Sequence, residues 1–202
     1  MPTTTLDLLR HGQTAPTKRF GFPDEPLTEE GRNQMWRAVG DVFPWRIIYT
    51  SPYGRCADFA RALGERARLP VVELGELRAL DWGSWTDKEV DEVMRTDSDA
   101  LARFNADPFT HRASGGESLT DMANRSIQGR RMILEQAIGQ HVLAIGHKWN
   151  IQAIVADALQ MPLPTMYSIK CDHTSCTRLQ FTETGGRYLT SLALHIGGTP
   201  RQ

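Results

Sequence analysis

The sequence predicts a three-layer α/β/α sandwich on a mixed, mostly parallel sheet of about six strands. Along its first part, short apolar runs alternate with segments of helical character, which is typical of a parallel sheet. The last two apolar runs are joined by the turn Gly185-Gly186 and predict a hairpin, which makes the sheet mixed. A chain of 202 residues with 40% hydrophobic and 23% charged content fits one domain, 1–202.

The first part of the chain supplies three strands and two helices. The strands are the apolar and β-branched runs at 5–9, 47–50 and 69–74. The first helix begins near Thr28, an N-cap residue followed by two glutamates, and ends before Pro44. The second helix begins at Ser51-Pro52, with the serine as its N-cap, and runs to about Arg66.

The segment from about 76 to 110 interrupts this alternation. It contains Trp82, Gly83 and Trp85 and two short polar helix candidates, about 88–95 and 98–106. Its length and composition predict an insertion above the sheet, with the character of a lid.

The last part of the chain returns to long elements. Gly115-Gly116-Glu117-Ser118 leads into a helix that runs to about Ile138. A fourth strand at 142–145, a helix at about 149–160 and two strands at 174–182 and 188–194 complete the prediction.

Three predicted strand ends carry basic or imidazole side chains. The first strand ends in Arg10-His11-Gly12, and the fourth ends in Gly146-His147. The second is followed by Ser51-Pro52 and, one helical turn later, by Arg55. Because ligand sites in such sheets lie beyond the carboxyl ends of the strands, we expect one pocket with two arginines and two histidines.

Such a pocket suits a phosphoryl group. Arginine forks match phosphate oxygens, and helix N-termini add amide donors. One imidazole can attack phosphorus while the other stabilises charge on the equatorial oxygens. The arginines and histidines take the place of a metal ion, so neither a metal nor another cofactor is expected.

At this point the chain resembles the histidine phosphatase superfamily, the phosphoglycerate mutase-like group. The resemblance implies that His11 is the nucleophile and becomes a phosphohistidine, and that Arg10, Arg55 and His147 bind the transferred group. It places Gly12, Gln13 and Thr14 at the pocket. The matching segments are Leu9-Arg-His-Gly-Gln-Thr14, Pro26-Leu-Thr-Glu-Glu-Gly31, Tyr49-Thr-Ser-Pro-Tyr-Gly-Arg-Cys-Ala57, Gly115-Gly-Glu-Ser118, Ile145-Gly-His147 and Leu192-Ala-Leu-His195.

Two positions depart from the family pattern. Where family members usually carry a glutamate that protonates the leaving oxygen, this chain has Ala79, which cannot move a proton. Asp81, two residues further on, is the first candidate to replace this glutamate, and Glu76 is the second. Some branches of the family carry an aspartate directly after the second histidine instead, but this chain has Lys148 at that position. Thr17 stands where many members have a phosphate-binding asparagine, and it keeps a hydroxyl donor.

Structural interpretations stand beside these functional ones. His11 and His147 could be core histidines, Arg55 a surface ion-pair partner, and Asp81 a turn residue that binds its own backbone. Glu117 either contacts substrate or belongs only to a helix start that Ser118 caps. A zinc site at Cys171, His173 and Cys176 lacks a fourth ligand. Cys171 and Cys176 are, together with Cys56, the three cysteines of the chain. An odd number of cysteines in a chain of this length argues against a disulfide framework.

The bulk properties limit the partners. A net charge of −1 provides no field that would collect nucleic acid or anionic membranes, and no signal peptide or membrane span is recognisable. We therefore expect a cytoplasmic protein that binds a small phosphorylated metabolite. The sequence does not determine the oligomeric state, and a homodimer is one possibility.

The function predicted is a metal-independent phosphatase for a small phosphomonoester. Within the family, the Gly-Gly-Glu-Ser and Arg-Cys-Ala segments look most like the α-ribazole phosphatase type. The alternatives are a phosphoglycerate mutase-like phosphotransferase and, because of Ala79, a catalytically weakened phosphate-binding or regulatory protein.

Overall fold

A mixed sheet forms the centre of the computed structural model, which describes residues 2–15, 20–21 and 25–194. Its strands are β1 Thr3–Arg10, β2 Ile48–Thr50, β3 Val71–Glu73, β4 His141–Gly146, β5 Cys176–Thr182 and β6 Arg187–Leu194. They stand in the order β3-β2-β4-β1-β5-β6. The first four in this order are parallel, and β5 and β6 add an antiparallel hairpin beside β1. The predicted α/β class and mixed six-stranded sheet are confirmed.

Helices cover both faces of the sheet. They are α1 Glu29–Val39, α2 Gly54–Ala67, α3 Val90–Thr96, α4 Ser98–Ala106, α5 Leu119–Gln136 and α6 Lys148–Ala158. Short 3₁₀ helices lie at Gly75–Leu77, Gly83–Trp85 and Leu163–Ser168. In the part of the chain that the structure describes, no helix is both long enough and apolar enough to cross a bilayer.

The alternation of side chains along β1 divides the core in two. Leu6 and Leu8 belong to the cluster that buries α5 and α6, whereas Leu9 belongs to the cluster that buries α1 and α2. Successive residues of a strand point to opposite faces, so one strand supplies both layers. The sandwich therefore holds β1 and β4 rigidly from both sides, and their carboxyl ends are fixed in space.

The insertion at 76–110 is joined to the body of the domain. Its buried side chains Trp85, Val93 and Leu101 belong to the same core cluster as Leu8 of the sheet. The ring of Trp82 packs edge-on against Trp149 of α6, with ring centroids 5.8 Å apart. Movement of this segment as a lid stays a prediction.

Several element boundaries differ from the sequence prediction. The fifth strand begins at Cys176 rather than 174, because Thr174 adopts φ 59°, a left-handed conformation that a strand cannot contain. The third strand covers only Val71–Glu73, since Arg68 ends the preceding helix with φ 55°. The helix at 98–106 was predicted with its observed limits.

A buried ionic cluster fastens β1 to its neighbours. The fully buried carboxylate of Asp7 accepts two hydrogen bonds from Arg178, at 2.7 and 2.9 Å, and one each from His141 and Trp45 at 2.9 Å. Burial alone would raise the pKa of Asp7, but these donors hold it below its usual value. The stability that the cluster contributes is therefore lost only as the pH falls through that lowered pKa.

Replacing Arg178 by methionine should destabilise the fold strongly. The change leaves the Asp7 carboxylate buried with two donors fewer, and breaking a buried pair in this way costs about 3–5 kcal/mol. Urea unfolding at pH 7 measures the loss. Arg37→Met, which breaks an exposed pair with Glu30, is the control and should cost less than about 1 kcal/mol. Equal losses in the two variants would contradict the assignment.

Candidate active site

The three predicted strand ends meet at one edge of the sheet. Arg10 pairs with Gly146 across β1 and β4, and both Leu9 of β1 and Thr50 of β2 pair with Ile145. The backbone continues this register, because the amide of His11 donates to the Gly146 carbonyl at 3.1 Å and that of Ser51 to the Ile145 carbonyl at 2.9 Å. The loops that follow β1, β2 and β4 therefore leave the sheet side by side.

His11 follows the last residue of β1 and is fixed by its own loop. Its side chain is buried, and Nδ1 lies 2.8 Å from the carbonyl oxygen of Gly12. A carbonyl only accepts, so Nδ1 carries the proton and Nε2 keeps the lone pair. Burial, together with the positive charges of Arg55 and Arg10, lowers the pKa of His11 to about 3. The imidazole is therefore neutral at physiological pH.

His147 faces His11, with ring centroids 5.2 Å apart. Its Nε2 lies 2.8 Å from Oγ of Ser51, which itself accepts from the amide of Tyr53 at 3.3 Å. The Ser51 hydroxyl can donate to Nε2, and in that arrangement the proton of His147 lies on Nδ1, which has no partner among the described residues. Burial and the charge of Arg55 place the pKa of His147 well below its usual value. This Nδ1–H is a donor available to a bound anion.

Ser51 has a different role from the one predicted. The sequence predicts it as the N-cap of the second helix, but that helix begins at Gly54, and its N-cap is Tyr53, with no side-chain hydrogen bond. The Ser51 hydroxyl is used instead to orient His147, 96 residues away in the chain.

The two predicted arginines lie close enough to this histidine pair for their charges to act on both rings. Arg10, the last residue of β1, donates from Nη1 to the Cys171 carbonyl at 2.8 Å, and its Nε is buried without a partner among the described residues. Arg55, in the first turn of α2, is buried with its guanidinium 5.2 Å from the ring centroid of Tyr53. The structure thus brings together the two arginines and two histidines that the sequence predicts in one pocket: Arg10, His11, Arg55 and His147.

The residues after His11 run along the N-terminus of α1. A Cβ on Gly12 would lie 2.2 Å from the Gly31 carbonyl oxygen, so the close approach of this loop to the first turn of α1 requires glycine. The carbonyl of Gln13 accepts from the amide and hydroxyl of Thr28, and Thr14 forms a bridge to Leu27. Contacts of Gly12, Gln13 and Thr14 with a ligand stay predictions. Thr17 lies outside the described residues.

A small pocket adjoins Arg55. It measures about 80 Å³ and is lined by Arg55, Tyr53, Ala79, Asp81 and Trp82, among others. Ala79, where the resemblance implies a glutamate, therefore lines the space beside Arg55. Asp81 lines the same pocket, yet its Oδ1 also accepts from the amide of Gly83 at 2.9 Å, which is the turn interaction that the structural interpretation anticipated.

The pocket wall is held by a partly buried arginine. Arg125 of α5 donates to the carbonyls of Glu76, Arg78 and Ala79, at 2.8, 2.9 and 3.3 Å, and forms a two-pronged pair with Glu117. The other carboxylate contacts of Glu117 are Arg78 and the amide of Asp81. Substrate contact by Glu117 stays a prediction.

Glu76, the second acid candidate, lies close to α5. A Cβ on Gly129 would come within 2.8 Å of the Glu76 Cβ, so this side chain starts on the α5 side of the wall rather than in the pocket. Asn150 of α6, one turn after His147, donates to the Arg78 carbonyl at 2.8 Å and so ties the histidine helix to the same wall.

The sequence did not identify Ser51, Arg125, Asn150 or His173 as site residues. Each of these side chains contacts a residue that is distant in sequence. Ser51 alone has a sequence signal for a position in the site, because it directly follows a predicted strand. His173 was weighed only as a zinc ligand, whereas its ring lies 5.5 Å from that of His11. Within 2–15, 20–21 and 25–194, no group of three or more histidine, cysteine or acidic side chains is arranged to hold a metal ion.

Known proteins share this architecture. The family model described as "Histidine phosphatase superfamily (branch 1)" matches residues 6–192. Phosphoserine phosphatase 1 of Hydrogenobacter thermophilus is 26% identical over 198 residues, 95% of this chain and 94% of that protein. A 2,3-bisphosphoglycerate-dependent phosphoglycerate mutase 2 of Gloeobacter violaceus is 32% identical over 171 residues, 75% of this chain and 74% of that one.

Solved structures of known proteins have the same fold as this chain. The α-ribazole phosphatase of Shigella flexneri superposes with a TM-score of 0.86 and covers 98% of this chain and 100% of its own. Because the two sequences are only 21% identical, this likeness concerns the fold alone.

Proposed function

Because the chain belongs to branch 1 of the histidine phosphatase superfamily, we propose that it hydrolyses a small phosphomonoester, without a metal, through a phosphohistidine on His11. The observation that carries the proposal is the state of His11. It is neutral, its Nδ1–H is fixed on the Gly12 carbonyl, and it lies beside His147 with both arginines near. A neutral imidazole with a directed lone pair is what in-line attack on phosphorus requires.

The mechanism follows from these positions. Nε2 of His11 bonds to phosphorus as the ester oxygen leaves, while Arg10, Arg55 and the Nδ1–H of His147 stabilise the charge on the equatorial oxygens. Asp81 protonates the leaving alcohol and afterwards, as carboxylate, takes a proton from the water that attacks the phosphohistidine. The products are the alcohol and inorganic phosphate, and His11 returns to its starting state.

The intermediate provides the direct test of this function. Substrate labelled with ³²P should transfer its label to the protein in an adduct that is stable to alkali and labile to acid, and turnover should continue in excess EDTA. A protein that hydrolyses substrate with no such adduct, or that EDTA inactivates, would contradict the proposal.

Asp81→Asn is expected to separate two classes of substrate. An alkyl phosphate has a poor leaving group, so its hydrolysis should fall by about 10²-fold or more, the usual contribution of a general acid. Hydrolysis of p-nitrophenyl phosphate, whose leaving group hardly needs a proton, should change little. The matched control is Asp99→Asn, an exposed carboxylate of the same insertion. Unchanged alkyl phosphate hydrolysis in Asp81→Asn would show that another group is the donor.

The substrate itself is proposed only as a class. The names of the relatives suggest a panel of α-ribazole phosphate, phosphoserine and phosphoglycerate, compared by kcat/KM. The 32% identity to a phosphoglycerate mutase favours phosphotransfer as the second candidate. Transfer of label from the phosphoenzyme to 2- or 3-phosphoglycerate rather than to water would identify it. Tight phosphate binding without turnover would instead indicate the weakened, regulatory form that Ala79 suggests.

A further inference from the structure

His173 contacts the phosphate-binding arginine directly. Its Nε2 lies 2.8 Å from Nη2 of Arg10, while Nη1 of the same guanidinium lies 2.8 Å from the Cys171 carbonyl oxygen. The side chain of His173 is exposed to solvent on its outer side, and its ring is 5.5 Å from that of His11. Both terminal nitrogens of Arg10 are thus held by one short segment, 171–173.

The chemistry of this contact fixes the state of the histidine. A guanidinium remains charged and can only donate, so Nε2 of His173 must accept, and its proton lies on Nδ1. Protonating Nε2 would remove the acceptor and set two cations 2.8 Å apart. The contact therefore requires His173 to be neutral.

The segment that carries His173 is itself fastened to the end of β1. The amide of Thr174 donates to the Arg10 carbonyl at 3.2 Å, and the amide of Arg10 donates to the Ser175 carbonyl at 3.1 Å. The Ser175 hydroxyl closes the loop on the Asp172 carbonyl at 2.8 Å. Because the backbones of Arg10 and this loop are joined, His173 can set the direction of the guanidinium rather than follow it.

We propose that His173 is a positioning residue, which holds the Arg10 guanidinium in the orientation that receives the phosphoryl group and releases it when protonated. The inference rests on the proposed function, because it assigns a role within the same site. Arg10 Nε, buried without a partner among the described residues, is the donor that this arrangement leaves for the anion.

The environment of His173 favours its neutral form. Burial and the positive charge of Arg10 lower the pKa of His173, against a smaller opposing effect of Asp172 in its own loop. His11, the other titratable group facing its ring, is neutral as well. The contact is therefore formed at neutral pH and is lost in acid.

Two variants test the proposal. His173→Phe keeps a ring without an acceptor and should weaken binding of inorganic phosphate and vanadate by roughly 10–100-fold, the usual worth of a hydrogen bond to a charged group. KM should rise in parallel. His173→Gln retains an acceptor oxygen and should recover most of the affinity, and His111→Gln in the loop after the insertion is the control. Phosphate affinity unchanged in His173→Phe would overturn the proposal.

The dependence on pH separates positioning from direct binding. As the pH falls through the lowered pKa of His173, the wild type should lose phosphate affinity relative to His173→Gln, because only the wild type loses its acceptor by protonation. If His173 instead bound the anion as a cation, the wild type would gain affinity relative to that variant, and this result would overturn the proposal.

A double-mutant cycle isolates the pair. In an Arg10→Lys background, which lacks the guanidinium fork, His173→Phe should have little further effect on phosphate binding. Full additivity of the two changes would overturn the proposal. Calorimetric binding of phosphate requires no turnover, so these results stand apart from failure of the phosphatase assay, and thermal unfolding shows whether each variant is folded.

Discussion

His11→Asn is expected to abolish turnover, with kcat reduced by about 10⁴-fold or more, as for loss of the nucleophile in other covalent catalysts. Asparagine is a close structural substitute, because its amide nitrogen can still donate to the Gly12 carbonyl that now accepts from Nδ1. It has no nitrogen lone pair that could attack phosphorus. The variant should therefore fold and bind phosphate but form no phosphoenzyme.

The controls for this variant separate chemistry from folding. His111→Asn makes the same change at a histidine just after the insertion and should leave kcat unaltered. A residual activity above about 1% of wild type, still saturable and still inhibited by vanadate, would contradict His11 as the nucleophile, since loss of a nucleophile costs far more than this.

The pH profile checks the same assignment in the unaltered protein. The pKa of His11 lies near 3, so the nucleophile takes up its proton only well below neutrality. At saturating substrate, kcat should accordingly persist at about pH 5, apart from changes due to the substrate's own ionisation, rather than disappear with a midpoint of about 6.5 as for an exposed histidine.

The predictable part of this site is the part encoded locally. Arg10-His11 and His147 each follow a buried apolar run, and parallel strands with buried runs end at a common edge. Register then brings the histidines together without any information beyond the strand ends. The same argument places Arg55, because a helix that starts just after a strand directs its first turn over that edge.

The unpredicted part depends on partners far apart in the chain. The Ser51 hydroxyl could cap a helix or bind a histidine, and local sequence does not distinguish these uses. Arg125 binds the carbonyls of a segment 47 to 49 residues earlier, which no periodicity reveals. The start of β5 depends on the left-handed backbone of Thr174, a conformation with no sequence signal at a residue other than glycine, asparagine or aspartate.

In the Asp81→Asn background, Ala79→Glu is expected to raise kcat/KM for alkyl phosphates by about 10²–10⁴-fold, the contribution of a general acid where none is present. The direction follows from the position of Ala79, which lines the pocket beside Arg55 together with Asp81. Its backbone is held by Arg125 and, through the neighbouring Arg78 carbonyl, by Asn150. A glutamate introduced there would therefore extend from a fixed point, which is the condition for efficient proton transfer.

Ala79→Gln is the matched control, because it fills the same space without an acidic proton. It should give no gain, and hydrolysis of p-nitrophenyl phosphate should be nearly the same in the wild type and both variants. Equal gains from glutamate and glutamine would show that the side chain acts by packing in the pocket of about 80 Å³, and no gain from either would contradict a missing acid at this position.

The combination with Asp81→Asn decides which carboxylate acts in the natural chain. If Asp81 is the donor, its loss should slow alkyl phosphate hydrolysis in the wild type but have little effect in the Ala79→Glu background, where the introduced carboxyl group supplies the proton independently. If Asp81→Asn is silent in both backgrounds while Ala79→Glu still accelerates the reaction, the natural protein works without a general acid. It would then be suited to substrates whose leaving groups need none, and the Asp81 carboxylate would serve only the turn that it forms with Gly83.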